Sequence, residues 1–90
     1  MIVLWAPEAE QDRADIMDYI AANNLAAAIR MDQLFGEAAS RLVDHPFIGK
    51  PGQIPDTREL IPHPSYRLVY TINQDTIWVL TLVHTARLWP

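Results

Sequence analysis

Cysteine is absent from this 90-residue chain, so disulfide staples and thiolate chemistry are both excluded. Lysine is nearly absent as well, with Lys50 the only one. A lysine-rich surface able to track a phosphate backbone is therefore missing. No apolar run approaches the roughly 18 residues that a membrane-spanning helix requires. The opening "MIVLWAPEAE" lacks the basic start of a secretory signal and turns acidic at once. Together these absences predict a cytoplasmic protein with no membrane partner. Repeats, low-complexity tracts and interdomain linkers are also missing, so residues 1–90 read as a single domain.

What is present is distributed unevenly. Half of the residues are hydrophobic and a fifth are charged, as in ordinary globular proteins. The net charge of −4 conceals two unlike halves. Residues 1–45 carry three arginines against eight carboxylates, a net −5, whereas residues 46–90 carry four cations against three carboxylates, a net +1. An anionic partner is repelled by the first half and tolerated by the second.

The apolar run "IVLW" at 2–5 predicts a strand. Pro7 suits the first turn of a helix, and Glu8, Glu10 and Asp12 suit its positive end. Ala6 stands where a capping side chain is usual. The helix is expected to turn Ala9, Ile16, Tyr19 and Ile20 toward a core, and Asn23 and Asn24 to end it and cap the next. A second helix over 25–44 places Ala28, Met31, Phe35, Ala38 and Leu42 on one stripe. Gly36 within it opens room for a close neighbour. The proline-rich "HPFIGKPGQIPD" at 45–56 reads as a loop, followed by strands over 57–61, 65–72 and 76–84. The class is α+β: an N-terminal strand and a helical hairpin on one face of a mostly antiparallel sheet, in the order β-α-α-β-β-β.

Alternation along "SYRLVY" separates Arg67 from Tyr66, Leu68 and Tyr70. With Gln74–Asp75 and His63–Pro64 as two-residue turns, Arg67 falls opposite Leu82 and Leu60. Arg58 and His84 then join Arg67 on the face away from the helices, beside Trp78, Leu80 and Leu82. A three-residue loop would flip one strand relative to the next. On the pattern alone a merely wet face is the simpler reading. Exposed Trp78, Leu80 and Leu82 argue instead for a partner. Glu59 fits poorly, because its parity sends it under the helices. His45, His63 and His84 lack metal-ligand spacing, Ser40 and Ser65 lack a visible histidine–carboxylate arrangement, and no cofactor is expected.

The stretches "WAPEAEQDRADIMDYIAANN", "HPFIGKPGQIPDTREL", "YRLVY" and "VLTLVHTARLWP", in that order, resemble the RelE/ParE superfamily of bacterial type II toxins. The resemblance implies growth arrest, relieved by a cognate antitoxin. RelE-like members cut messenger RNA in the ribosome and ParE-like members poison DNA gyrase, so the expected partners are antitoxin plus ribosome and mRNA, or antitoxin plus gyrase. In the cleaving branch a 2′-hydroxyl attacks the adjacent phosphodiester, which needs a base, cations for the developing charge and an acid. By resemblance Arg67 matches the arginine on the scissile phosphate, and His84 falls near the histidine of the YoeB-like branch. Arg58 takes the place of a catalytic lysine, and Arg87 lies close to a second arginine. Arginine hardly ever loses its proton, so Arg58 would stabilise charge, leaving His84 as the proton shuttle. The tyrosine that several nucleases carry after the last strand is missing, and Trp89 either supplies a stacking surface or covers the sheet edge. The convergence of four cationic or titratable groups favours RNA cleavage slightly over gyrase inhibition, while the shortage of lysine opposes it.

Overall fold

Two helices and a sheet follow from these signals in a computed structural model that describes residues 1–86. Strand β1 (Ile2–Trp5) leads into α1 (Pro7–Ala21), and α2 (Leu25–Asp44) follows after a short turn. Pro7 opens α1 with no side-chain cap at Ala6. Asn24 caps α2, its Oδ1 accepting from the Ala27 N–H at 3.0 Å. Four strands follow among the described residues: β2 (Lys50–Pro51), β3 (Arg58–His63), β4 (Tyr66–Asn73) and β5 (Thr76–His84). The sheet order is β1-β5-β4-β3-β2, with β1 parallel to β5 and every other pairing antiparallel. The expected α+β architecture is the observed one, with β2 added from the stretch read as loop.

The helices cover one side of the sheet. Ala9 of α1 and Phe35, Ala38, Ala39 and Leu42 of α2 pack against Tyr66, Leu68, Tyr70, Ile77, Val79 and Leu82. The predicted α2 stripe is correct at every position: Ala28, Phe35, Ala38 and Leu42 are buried, and Met31 packs against the cluster. In α1 the expectation fails at Tyr19, which is 76% exposed. The hairpin is tied by Arg13, whose Nε donates to Asp32 at 2.5 Å while its guanidinium lies 4.7 Å over the Trp5 ring. Gly36 allows this approach, since a Cβ there would stand 3.3 Å from Arg13 Nη2.

Register departs from the simple alternation at two points, and both change the site. Asn73 pairs with Thr76 as expected, and the ladder runs regularly to Tyr70 opposite Val79. Val69 then pairs with Thr81, so Leu80 is an extra residue in β5. Between β3 and β4 the turn is Pro64–Ser65, with His63 opposite Tyr66. Leu60 then faces Leu68, which leaves one residue too many in β3 as well. Each bulge inverts the parity of everything beyond it. Leu60, Leu82 and His84 therefore lie on the helix side rather than with Arg67, and Arg58, opposite Tyr70, goes with them.

Candidate functional site

The expected cluster of Arg58, Arg67 and His84 is not assembled. Arg67 does sit on the face away from the helices, opposite Val83. His84 sits opposite Tyr66 on the helix side, with its ring 5.2 Å from the tyrosine ring in an edge-to-face contact. Arg58 is on the helix side at the far edge of the sheet and is otherwise engaged. Its Nη1 donates to the Gly49 carbonyl at 2.6 Å and to the Phe47 carbonyl at 3.3 Å, and its guanidinium lies 5.1 Å over the Phe47 ring. The bulges are the physical reason, because no residue type marks the position of an extra residue. Arg87 and Trp89 lie outside the described residues.

On its own face Arg67 meets an acid. Glu59, opposite Val69, is 3% exposed, and its Oε1 lies 3.5 Å from Arg67 Nη1. The misfit of Glu59 with a helix-side position is thus resolved: it is buried, but beneath the other face. Its second carboxylate oxygen has no partner among the described residues. Lys50 stands across from Glu59 in the β2–β3 ladder. A buried carboxylate beside Arg67 neutralises much of the charge that a phosphate would need.

The apolar partner surface is also rearranged. Trp78 stays on the Arg67 side, half-buried, next to the exposed Ile2 and Leu4 of the edge strand. Leu80 is the half-buried bulge residue. Leu82 is 5% exposed and belongs to the core under the helices, which corrects its assignment to the partner surface.

Two further groups organise the helix side. Near β2, Tyr70 is fully buried; its hydroxyl donates to the Pro46 carbonyl at 2.8 Å and accepts from the Gly49 N–H at 3.0 Å. Burial raises its phenol pKa above 10.0, and the Gly49 N–H and the Arg58 charge oppose that rise. At the other end Asp12 of α1 closes the β5 bulge. Its Oδ2 accepts from Thr81 Oγ1 at 2.6 Å and from the Leu82 N–H at 3.1 Å. Here α1, Tyr66 and His84 enclose an open cleft of about 480 Å³. Sequence reasoning missed Asp12 and Tyr66 as site residues; the available signal was the row of carboxylates on α1 at positions 8, 10, 12, 15 and 18.

Among the described residues no helix is long and apolar enough to cross a membrane. Residues 3–89 match the family described as ParE toxin of type II toxin-antitoxin system, parDE. The toxin candidate Y4kP of Sinorhizobium fredii is 33% identical over 89 residues, covering 98% of this chain and 92% of that one. The fold is similar to that in the chromosomal ParDE system from P. aeruginosa, with a TM-score of 0.81 at 22% identity over 93% of this chain and 95% of that chain. It is similar, too, to a YoeB/ParE toxin from Agrobacterium tumefaciens, with a TM-score of 0.68 at 14% identity over 93% and 98% of the two chains. The chain belongs to the ParE family, the toxins of type II toxin–antitoxin systems, and so has an antitoxin for a partner.

Proposed function

We propose that this toxin arrests growth by binding and inhibiting DNA gyrase, with no catalytic step of its own. One observation carries the reading: Arg67 and His84 project from opposite faces of the sheet. Cleavage of RNA needs a proton acceptor, a proton donor and charge stabilisation around one phosphodiester. A histidine on the helix side cannot share a phosphodiester with an arginine on the other. Arg58, the third member, is committed to the carbonyls of Phe47 and Gly49. Arg67 is offset by Glu59. A protein inhibitor has no such requirement and uses apolar surface, which Ile2, Leu4 and Trp78 supply on the Arg67 face. The family name agrees with this branch of the superfamily. Either target, gyrase or the translating ribosome, lies in the cytoplasm.

Induction of the chain without its antitoxin tests the reading. Cleaved DNA–gyrase complexes should accumulate while messages stay intact by primer extension, and loss of supercoiling should follow in a purified gyrase assay. Codon-positioned message breaks that vanish in Arg67→Ala and His84→Ala would overturn it in favour of RNA cleavage.

A further inference from the structure

Where the loop after α2 meets β2, at the sheet edge opposite β1, Phe47, Pro51, Asp56, Arg58 and Ile72 line an open cleft of about 400 Å³. Arg58 lies between Pro51 and Tyr70 across the two ladders. The Phe47 and Gly49 carbonyls fix its Nη1, and the guanidinium rests on the Phe47 ring. Those bonds use one nitrogen; Nε and Nη2 make no hydrogen bond among the described residues. The charge also lacks a counter-ion there, since the ion pairs among the described residues join Arg13 to Asp32 and Arg67 to Glu59. Tyr70 is no substitute, because burial raises its phenol pKa and its oxygen is already bonded twice. A half-buried guanidinium held in one orientation without an anion is a preorganised receptor for one. Apolar surface gathers at the same place: the consecutive Phe47 and Ile48 are 65% and 48% exposed, and Pro51 is exposed as well. Large apolar side chains bunched beside a cleft mark a contact surface, whereas scattered ones do not.

We propose that this cleft receives an acidic side chain of a partner polypeptide, a glutamate or aspartate beside an apolar residue. The two oxygens of a carboxylate match the parallel N–H groups that Nε and Nη2 still offer. The neighbouring apolar residue covers Phe47 and Ile48, which removes their surface from water. Charge selects the same occupant: residues 46–90 are net +1 and residues 1–45 net −5, so an acidic segment is drawn to this end and held off by the other. Asp56 is the carboxylate on the cleft wall; it is exposed and forms no ion pair with Arg58, so it opposes an anion without filling the site. No other cation lines the cleft to follow a phosphate backbone onward, which disfavours a nucleic acid. The site shares no residue with the Ile2, Leu4 and Trp78 surface, so it stands apart from the gyrase reading.

Titration of the full chain with N-acetyl-glutamyl-leucine amide, followed by NMR, tests the proposal without gyrase. The Arg58 Nε–H and Phe47 ring signals should move and saturate, and the neutral N-acetyl-glutaminyl-leucine amide should leave the Nε–H in place. Arg58→Lys keeps the charge but loses the fork, and is expected to weaken binding about tenfold. Asp56→Asn removes the opposing charge and should strengthen binding about twofold with an unchanged melting temperature. Asparagine accepts the left-handed backbone there, where φ is 65°. Equal shifts with the glutaminyl probe, no saturable shift, or an affinity unmoved by Asp56→Asn would overturn the assignment. So would inorganic phosphate saturating the same signals at tenfold lower concentration, since that marks a site for free anions.

Discussion

Tyr66 and Tyr70 lie four residues apart on one strand and one face, yet they serve opposite ends of the helix side. Around Tyr70 the hydroxyl has two protein partners, and Pro46, Gly49 and Arg58 knot the loop before β2 onto the sheet. Around Tyr66 the ring is packed edge-on against Phe35 and His84, but the hydroxyl has no partner among the described residues and Tyr66 lines the open cleft. One end is closed by the chain itself and the other opens into the cleft. Exposure does not separate them, since both tyrosines are buried. Hydrogen-bond accounting does, because the Tyr70 hydroxyl is bonded twice and the Tyr66 hydroxyl not at all among the described residues.

Substitutions sharpen that contrast, beginning at the closed end. Gly49→Ala is expected to destabilise by about 3 kcal/mol, because overpacking forces the loop off the sheet. The new methyl would lie 2.7 Å from the Tyr70 hydroxyl and 2.9 Å from the Glu59 carbonyl. Tyr70→Phe keeps the ring but orphans the Gly49 N–H and the Pro46 carbonyl, for a loss of about 2 kcal/mol in urea unfolding. Asp12→Ala removes the carboxylate that closes the β5 bulge, for about 1.5 kcal/mol. Tyr66→Phe is expected to fall within about 0.5 kcal/mol of the parent, since no bond is lost. A loss at Tyr66 as large as that at Tyr70 would erase the distinction between the two ends.

Alkaline titration gives a further comparison. Both phenol pKa values are raised in the folded protein, so above pH 10.0 the unfolded chain releases protons that the folded one retains. Stability is therefore full below pH 10.0 and falls as pH rises from there toward the folded pKa values. Denaturation midpoints measured from pH 9 to 12 should show the decline, reduced in Tyr66→Phe and in Tyr70→Phe. A flat profile would contradict the raised values.

The sequence made the elements legible and left their phasing hidden. The α2 stripe, the Asn24 cap and the Gln74–Asp75 turn are set by neighbours within a few residues, and all are found as read. Between the bulges the faces are also correct: Arg67, Val69, Thr71 and Trp78 lie on one side and Leu68, Tyr70, Ile77 and Val79 on the other. Beyond them the assignments of Arg58, Leu60, Leu82 and His84 invert. A two-residue period carries no memory of an inserted residue, so one local irregularity changes the whole remainder. Glu59 gave a usable warning, since a carboxylate assigned beneath the helices signals a slipped hairpin. Strand β2 escaped notice because Lys50–Pro51 is short and ends in proline, which is acceptable only at an edge. Tyr19 reads as core by spacing but stands at the lip of the cleft instead.

The parallel pairing of β1 with β5 bears on when the sheet can be completed during the chain's own synthesis. Val3 meets Ile77 and Trp5 meets Val79, so the earliest strand made has its ladder partner near the far end of the chain. Closure across that span is an entropically slow, late event, and a nascent toxin cannot complete its sheet until β5 has emerged. Any surface built from β1 and β5 together is therefore offered to a partner only after that closure.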